Sequence, residues 1–207
     1  MHAINIIVVG FRLGKIERSC VSAIVANTTF PYVLTYYDNH ENYYTLTELW
    51  NKLICASVCD YICLLNNDTE VSPRWLEKLV DTLETNDDCG FVGPSTNSCH
   101  SPQREVGTLP EAERLGKSEV VLPDPISGFC LLFKKSLWEK LAGFDVRYKH
   151  YGQESDLIDR AKKLGYKSYW RQDAFVYHIG EASVKASGIN VGFSRKEAID
   201  LYWSTRK

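Results

Sequence analysis

Three consecutive side chains with oxygen or amide groups, Asn66, Asn67 and Asp68, directly follow a short apolar run of the sequence. That run, residues 61–65, is typical of a core strand, and Pro73 is expected at the first position of the next helix. Oxygen ligands at the carboxyl end of a strand are what a hard divalent cation bound to a diphosphate requires. The same pattern is also typical of an Asx-rich turn, because Asn and Asp side chains readily bond to nearby backbone.

Three further residues, Gly10, Asp38 and His178, also come at the ends of predicted strands. In a doubly wound sheet the carboxyl ends of the strands meet at one edge, where ligands bind. Each residue taken alone is explained equally well as a turn residue or a surface polar group. Together with residues 66–68 they predict one shared site at this edge.

The apolar pattern along the chain alternates between strand and helix. β-branched residues run almost without a break from Ile4 to Val9, which is typical of a strand buried on both faces. Strands are predicted at residues 4–9, 32–37, 61–65, 91–93, 130–133 and 174–177, and helices at 16–26, 46–54, 73–83, 136–141, 155–164 and near the carboxyl terminus. We therefore expect an α/β fold with a doubly wound, mostly parallel sheet flanked by helices.

Two segments, residues 97–125 and 180–194, lack the apolar period of an element that packs on a core. Connections of this length inside a compact domain are usually functional or mobile. We expect both to flank the site, and the second to close over it as a lid that excludes water.

The composition is that of an ordinary globular chain. Its 207 residues, 44% hydrophobic and 24% charged, fit a single domain spanning residues 1–207. A net charge of −2 argues against nucleic acid as a partner. No stretch is typical of a signal peptide or of a transmembrane segment. The seven cysteines are expected to be mostly buried, reduced thiols, which favours a cytoplasmic, reducing location.

Seven short segments resemble motifs of the family 2 glycosyltransferases, which are inverting enzymes with the GT-A fold. They read VVGF at residues 8–11, YDN at 37–39, LNNDTEV at 65–71, SGFC at 127–130, GFD at 143–145, YGQESDL at 151–157 and VYHIG at 176–180. Their rhythm is most similar to that of rhamnosyltransferase-like members, and the chain is also similar to a glycosyltransferase domain of large algal DNA viruses. The resemblance implies a nucleotide-sugar half at about residues 1–95 and an acceptor half at about 96–207, within what we expect to be a longer multidomain enzyme.

The resemblance implies a role for each matching residue on the nucleotide side. Asp68 and His178 correspond to ligands of Mn²⁺ or Mg²⁺, and Asp38 corresponds to the acceptor of the imide N–H of uracil or thymine. The family's first D-x-D aspartate is Asn66 here, which is expected to weaken metal binding. The residues that match the nucleotide-sugar site are Val9, Gly10, Phe11, Asp38, Asn51, Asn66, Asn67 and Gly128.

On the acceptor side the resemblance makes Glu154 the general base, with Asp156 orienting it or the acceptor. Inversion at the anomeric carbon requires a base that deprotonates an acceptor hydroxyl on the opposite face, while a divalent cation stabilises the diphosphate leaving group. An imidazole ligand such as His178 suits Mn²⁺ better than Mg²⁺. Glu154, expected just before a helix, lies near the positive end of the helix dipole, which favours the carboxylate. A surface acid that complements this dipole is the alternative interpretation.

The resemblance thus implies transfer of a sugar from a UDP- or dTDP-sugar to a hydroxyl group of a glycan or glycoprotein. A sugar-1-phosphate nucleotidyltransferase is one alternative, because residues 10–15 (GFRLGK) weakly resemble its glycine-rich loop. A catalytically weak carbohydrate-binding module of the same fold is another, because Asn66 lacks the carboxylate of the family motif.

Overall fold

The structure, a computed structural model, describes residues 3–205 except 13, 181 and 183–190. The strands are β1 (Ile4–Gly10), β2 (Tyr32–Asp38), β3 (Tyr61–Asn66), β4 (Thr69–Val71), β5 (Cys89–Ser95), β6 (Glu119–Leu122), β7 (Cys130–Lys134) and β8 (Lys167–His178). The helices are α1 (Lys15–Asn27), α2 (Leu46–Ala56), α3 (Trp75–Thr85), a 3₁₀ helix (Pro102–Glu105), α4 (Leu109–Leu115), α5 (Lys135–Lys140), α6 (Gln153–Lys162) and α7 (Val191–Ser204). Within the described ranges, no helix combines the length and the apolarity needed to cross a bilayer.

The eight strands form one sheet in the order β2-β1-β3-β7-β5-β8-β4, with β6 paired to β8. β1 is parallel to β2 and β3, and β5 is parallel to β8. β7 runs antiparallel between β3 and β5, and β8 is antiparallel to β4 and β6. The predicted α/β class is confirmed, but the sheet is mixed, and β7 and β8 from the second half of the sequence lie between strands of the first half.

Each face of the sheet carries its own hydrophobic cluster. Ile4, Ile6 and Val8 of β1 pack in the cluster that also contains residues of α1 and α3. Ile7 belongs to the opposite cluster, with residues of α2, α5 and α6. Successive side chains of a strand point to opposite faces, so the unbroken apolar run of β1 supplies both layers. The predicted burial of β1 on both faces is confirmed.

The helix predicted to begin at Pro73 begins instead at Trp75. Residues 69–71 form the short strand β4, which pairs with the end of β8. The backbone N–H and the hydroxyl of Ser72 both donate to the carbonyl oxygen of Phe175, at 3.2 and 2.7 Å. These bonds tie the chain to the sheet up to Ser72, and the helix starts only after the following turn.

Residues 97–125 lack the apolar period of an element that packs on a core, but part of this segment does pack on the core. They contain the 3₁₀ helix, α4 and β6, and Val106, Ala112 and Leu122 are buried in the core. Each of these elements has four to seven residues, too few for an apolar period to be recognised in the sequence. The predicted lid, residues 180–194, lies mostly outside the described residues, and residues 191–194 belong to α7. Its closure stays a prediction.

Candidate functional site

A cavity of about 720 Å³ opens at the carboxyl ends of β1 and β3. The register pairs Val9 of β1 with Asn66 of β3, so the two strand ends are level. The predicted site residues that line this cavity are Val9, Phe11, Asn66, Asn67, Asp68, Gly128, Glu154 and His178. The structure therefore brings the two predicted metal ligands and the predicted base to one place.

His178, the last residue of β8, is held by contacts to both its backbone and its ring. Its N–H donates to Asn97 Oδ1 at 2.8 Å, and Asn97 Nδ2 donates to its carbonyl oxygen at 3.1 Å. The imidazole stacks on the ring of Phe129, with centroids 5.2 Å apart. Nδ1 lies 2.8 Å from the carbonyl oxygen of Ser98, which can only accept, so Nδ1 carries a proton. Nε2 lies 3.3 Å from Asp68 Oδ1.

Asp68 is only 3% exposed. Its Oδ2 accepts from the backbone N–H of Ala182 at 3.1 Å, and its backbone carbonyl accepts from the N–H of Ile179 at 3.0 Å. Burial raises the pKa of Asp68, but a His178 that also carries a proton on Nε2, through its hydrogen bond and charge, and the Ala182 N–H lower it by more, so the pKa lies below its usual value. Asp68 is therefore a carboxylate at neutral pH.

The Asp68–His178 pair fits a divalent cation. In a neutral His178 with Nδ1 protonated, Nε2 presents a lone pair toward the carboxylate, and two acceptors 3.3 Å apart call for a cation or a proton between them. Metal-binding histidines commonly donate the other ring N–H to a backbone carbonyl, as His178 does to Ser98. Among the described residues, no group of three or more His, Cys, Asp or Glu side chains is placed to hold a metal. The remaining ligands of a cation here must therefore come from other groups, such as a bound diphosphate.

Glu154 lies in the first turn of α6 rather than before it, and it lines the cavity. Burial raises its pKa above the usual carboxyl value, against the lowering effect of a backbone hydrogen bond. Burial of Glu154 thus opposes the preference for the carboxylate that was predicted from the helix dipole. A Cβ added at Gly128 would lie 3.1 Å from Glu154 Cγ and 3.2 Å from Cδ. The glycine leaves the space that the Glu154 side chain occupies.

Asp156 and Asn51 were predicted in the site, but neither lines the cavity. Asp156 follows Glu154 by two residues on a helix and so points to a different side. Its Oδ2 accepts from Arg160 Nε at 2.8 Å, and the same guanidinium donates to carbonyl oxygens of residues 141 and 143. Asn51 donates to the carbonyl oxygen of Phe144 at 2.8 Å and accepts from its N–H at 2.9 Å. Asn51 thus binds the turn at residues 141–144 directly, and Asp156 binds the arginine that contacts the same turn.

Asp38 and Gly10, predicted to bind the nucleotide, also lie outside the cavity lining. The side chain of Asp38 is 53% exposed, and its carboxylate accepts from the N–H of His40 at 3.0 Å and contacts Nδ1 of the same residue at 3.1 Å. Gly10 faces the ring of Tyr36, whose hydroxyl would lie 2.0 Å from an added Cβ. β2 is the edge strand, and it is the residue after Asp38, Asn39, that reaches the cavity wall.

Glu17 of α1 is a buried polar residue beside the site that the sequence interpretation missed. It accepts from the backbone N–H of Phe11, from Asn67 Nδ2 at 2.9 Å and from the Tyr36 hydroxyl at 3.3 Å. Glu17 therefore joins the loop after β1 to the turn at residues 66–68. An acid in the first turn of a helix is common on protein surfaces, so the sequence contains no signal that singles it out.

The sequence profile described as Glycosyl transferase family 2 matches residues 21–141, more than half of the chain. An uncharacterised protein of Mycobacterium tuberculosis (strain ATCC 25618 / H37Rv) is 30% identical, over 65% of this chain and 52% of that protein. The N-acetylglucosaminyl-diphospho-decaprenol L-rhamnosyltransferase of the same strain is 29% identical, over 58% of this chain and 47% of that protein. The chain thus matches about half the length of these curated relatives.

A solved structure with a similar fold is the crystal structure of GalNAc-T7 with UDP, GalNAc and Mn²⁺. The TM-score is 0.65 at 13% sequence identity, and the match covers 86% of this chain and 44% of that chain. At this identity the likeness concerns the fold, and it confirms the predicted GT-A fold.

Proposed function

The chain belongs to glycosyl transferase family 2, and we propose that it is a metal-dependent, inverting glycosyltransferase. Its proposed donor is a UDP- or dTDP-sugar, and its acceptor is a hydroxyl group of a glycan or glycoprotein. The observation that carries this proposal is the Asp68–His178 pair, whose facing atoms lie 3.3 Å apart in the same cavity as Glu154. The UDP and Mn²⁺ in the GalNAc-T7 structure support a nucleotide-linked donor and a metal, and the name of the rhamnosyltransferase relative supports transfer of a sugar.

Different residues of the cavity have different roles in the proposed reaction. Asp68 and His178 would hold a cation, Mn²⁺ or Mg²⁺, and that cation would supply Lewis-acid stabilisation of the diphosphate leaving group. Glu154 accepts the proton of the acceptor hydroxyl while the acceptor oxygen bonds to the anomeric carbon and the bond from that carbon to the diphosphate breaks. The raised pKa of Glu154 suits this role, because a carboxylate with a higher proton affinity takes the proton more readily.

Calorimetric titration of UDP with and without Mn²⁺ tests the metal part of the proposal. We expect Mn²⁺ to tighten UDP binding, and we expect Asp68→Ala or His178→Ala to remove that gain. Asp87→Ala is a matched control, because this exposed acid lies before the first residue of β5 and does not line the cavity. Equal UDP affinity with and without Mn²⁺, or an unchanged Mn²⁺ effect in Asp68→Ala, contradicts the assignment.

A screen of nucleotide sugars for hydrolysis and transfer tests the reaction itself. We expect slow, Mn²⁺-dependent release of UDP or dTDP, and faster release when a suitable acceptor is present. Pyrophosphate release from a sugar-1-phosphate and a nucleoside triphosphate would instead identify a nucleotidyltransferase. Tight carbohydrate binding without turnover would identify a binding module.

We also propose a cytoplasmic, reducing location. All seven cysteines are free thiols, and five of them are buried, as predicted, whereas Cys55 is exposed and Cys99 is half-buried. Free thiols of this number support a reducing compartment. Membership of a longer multidomain enzyme and likeness to a viral domain stay predictions.

A further inference from the structure

Gln103, in the 3₁₀ helix, is a fully buried amide that joins β5 to the loop before β7. Its Nε2 donates to the carbonyl oxygen of Pro94 at 2.7 Å, and its Oε1 accepts from the backbone N–H of Ser127 at 2.8 Å. A carbonyl oxygen can only accept and an N–H can only donate, so both contacts give the same orientation of the amide. The side chain thus pairs one backbone group of each segment and links the two segments.

The position of Gln103 is fixed by its own backbone. Its carbonyl oxygen accepts from the N–H of Thr96 at 3.1 Å, and its N–H donates to the hydroxyl of Ser101 at 3.4 Å. A Cβ added at Gly93 would lie 2.8 Å from Gln103 Nε2 and 2.9 Å from Cδ1 of the buried Ile126. The glycine in β5 therefore leaves the space in which the amide and the loop approach the sheet.

The loop held in this way, residues 126–129, lines the cavity. The carbonyl oxygen of Phe129 accepts from the N–H of Asn66 at 2.8 Å, and the ring of Phe129 stacks on the imidazole of His178. His178 is also bound to residues 97–98. The position of the imidazole therefore does not depend on this loop alone.

Glu154 depends more closely on the loop. Gly128 packs so near to the Glu154 side chain that a Cβ there would be closer than an ordinary van der Waals contact. If the loop moved away from α6, water would enter the space beside the carboxyl group. Hydration would then remove part of the burial that raises the pKa of Glu154.

We propose that Gln103 is a positioning residue for the reaction: its two hydrogen bonds hold residues 126–129, and Gly128 in turn holds Glu154 where it accepts the proton of the acceptor hydroxyl. This inference rests on the proposed function, because it takes Glu154 as the base. Gln103 does not line the cavity, so it acts only through the loop.

Carbon NMR of the Glu154 carboxyl group tests the inference without ligand or substrate. Gln103→Met nearly keeps the shape of the side chain but removes both hydrogen bonds. We expect the pKa of Glu154 to lie above the ordinary carboxyl value in the wild type and to fall toward that value in Gln103→Met. The signal that is absent in Glu154→Gln assigns the resonance.

Asn5→Leu is the matched control. Asn5 is also a buried amide with two hydrogen bonds, since its Nδ2 donates to Ser57 Oγ at 3.0 Å and its Oδ1 accepts from Thr35 Oγ1 at 2.8 Å. It lies near the amino end of β1, whereas the cavity is at the carboxyl end. Both variants should melt at a lower temperature than the wild type, but Asn5→Leu should leave the pKa of Glu154 unchanged.

Transfer kinetics separate positioning from folding. A loop shift of about 0.5 Å should lower the kcat of Gln103→Met about 10-fold, because a misplacement of 1 Å costs about 100-fold in rate. The affinity for UDP with Mn²⁺ should stay close to that of the wild type, since His178 keeps its other contacts. In a Glu154→Gln background, Gln103→Met should have little further effect on kcat.

Thermal melting identifies a variant that does not fold. In that case Gln103→Asn, whose amide is one methylene shorter and cannot reach both partners, should show the same changes to a smaller extent. An unchanged pKa of Glu154 in the folded variant overturns the inference, as does an equal change in Asn5→Leu or a full loss of kcat in the Glu154→Gln background. A wild-type protein that neither transfers nor hydrolyses a nucleotide sugar contradicts the proposed function instead, and the pKa of Glu154 still decides whether Gln103 positions this side chain.

Discussion

Replacement of Gly128 by alanine tests whether the position of Glu154 controls the reaction. Gly128 is not among the glycines with positive φ, so its backbone accommodates an alanine. The new Cβ would lie 3.1 and 3.2 Å from Glu154 Cγ and Cδ, whereas ordinary van der Waals contacts begin at 3.4 Å. Glu154 must therefore move by a few tenths of an ångström.

The expected loss follows from this displacement. Because a 1 Å misplacement at an active site costs about 100-fold in rate, a shift of a few tenths of an ångström corresponds to roughly 4- to 10-fold in kcat. The Mn²⁺-dependent affinity for UDP should stay unchanged, since Asp68 and His178 are untouched. Steady-state transfer assays that separate kcat from the donor KM measure this. Gly107→Ala is the matched control, because its Cβ would make only an ordinary contact, 3.6 Å from the carbonyl oxygen of Arg104.

A double variant decides whether the loss acts through Glu154. In a Glu154→Gln background, Gly128→Ala should have little further effect on kcat, because the displaced side chain no longer takes a proton. Losses that add in full would refute the reasoning, as would wild-type kcat in Gly128→Ala alone.

Three further outcomes are expected. Glu154→Gln should lower transfer by about 10²- to 10⁴-fold with unchanged donor affinity, as measured by initial rates and calorimetry. Burial raises the pKa of Glu154 in the folded protein above its value in the unfolded chain. The stability that protonated Glu154 contributes is therefore fully present below the unfolded-state pKa, and it is lost as the pH rises through the folded-state pKa. Melting curves over this range should therefore show a falling stability that Glu154→Gln lacks, while the wild-type rate rises with pH as the base ionises. Asn51→Ala should lower the free energy of unfolding by about 1–3 kcal/mol in urea titrations, because it leaves backbone groups of Phe144 without partners. UDP binding by folded Asn51→Ala should match the wild type.

Elements with strong local signals were predicted closely from the sequence. The β-branched run predicted a strand at residues 4–9, and β1 spans Ile4–Gly10. The apolar period predicted a helix at residues 46–54, and α2 spans Leu46–Ala56, with a capping box formed by Thr45 and Glu48. In both cases neighbouring residues alone supply the burial pattern or the cap that defines the element.

Elements that depend on distant pairing could not be predicted in this way. Strand β4 has three residues and exists because it pairs with the end of β8, more than 100 residues later in the chain. The antiparallel direction of β7 depends on how the long segment before it crosses the sheet, which no local pattern specifies. The sequence therefore predicted the fold class but not the mixed character of the sheet.

The candidate site shows the same division on a smaller scale. The predicted strand ends placed residues 66–68 and His178 at one edge of the sheet. This prediction needs only the strand directions, because the carboxyl ends of parallel strands lie at the same edge. The direction of each side chain was not predictable, since it changes with every residue along the chain. Asp38 faces solvent, whereas the next residue, Asn39, lines the cavity. Likewise Glu154 lines the cavity, whereas Asp156, two residues later, does not.

Asn66→Asp tests how residue 66 contributes to the cation site. Asn66 Nδ2 lies 3.4 Å from His178 Nε2, the atom that also faces the buried Asp68 carboxylate. Without metal, a second carboxylate here repels Asp68 and should cost about 1–2 kcal/mol of stability. With Mn²⁺ the added charge attracts the cation, so calorimetry without nucleotide should show affinity raised about 10-fold, and melting curves should show the lost stability regained. Asn67→Asp is the contrasting control, because its carboxylate would face Glu17 and should lower stability without any gain in Mn²⁺ affinity. Wild-type Mn²⁺ affinity in Asn66→Asp, with a melting temperature that Mn²⁺ does not restore, would mean that residue 66 does not reach the cation.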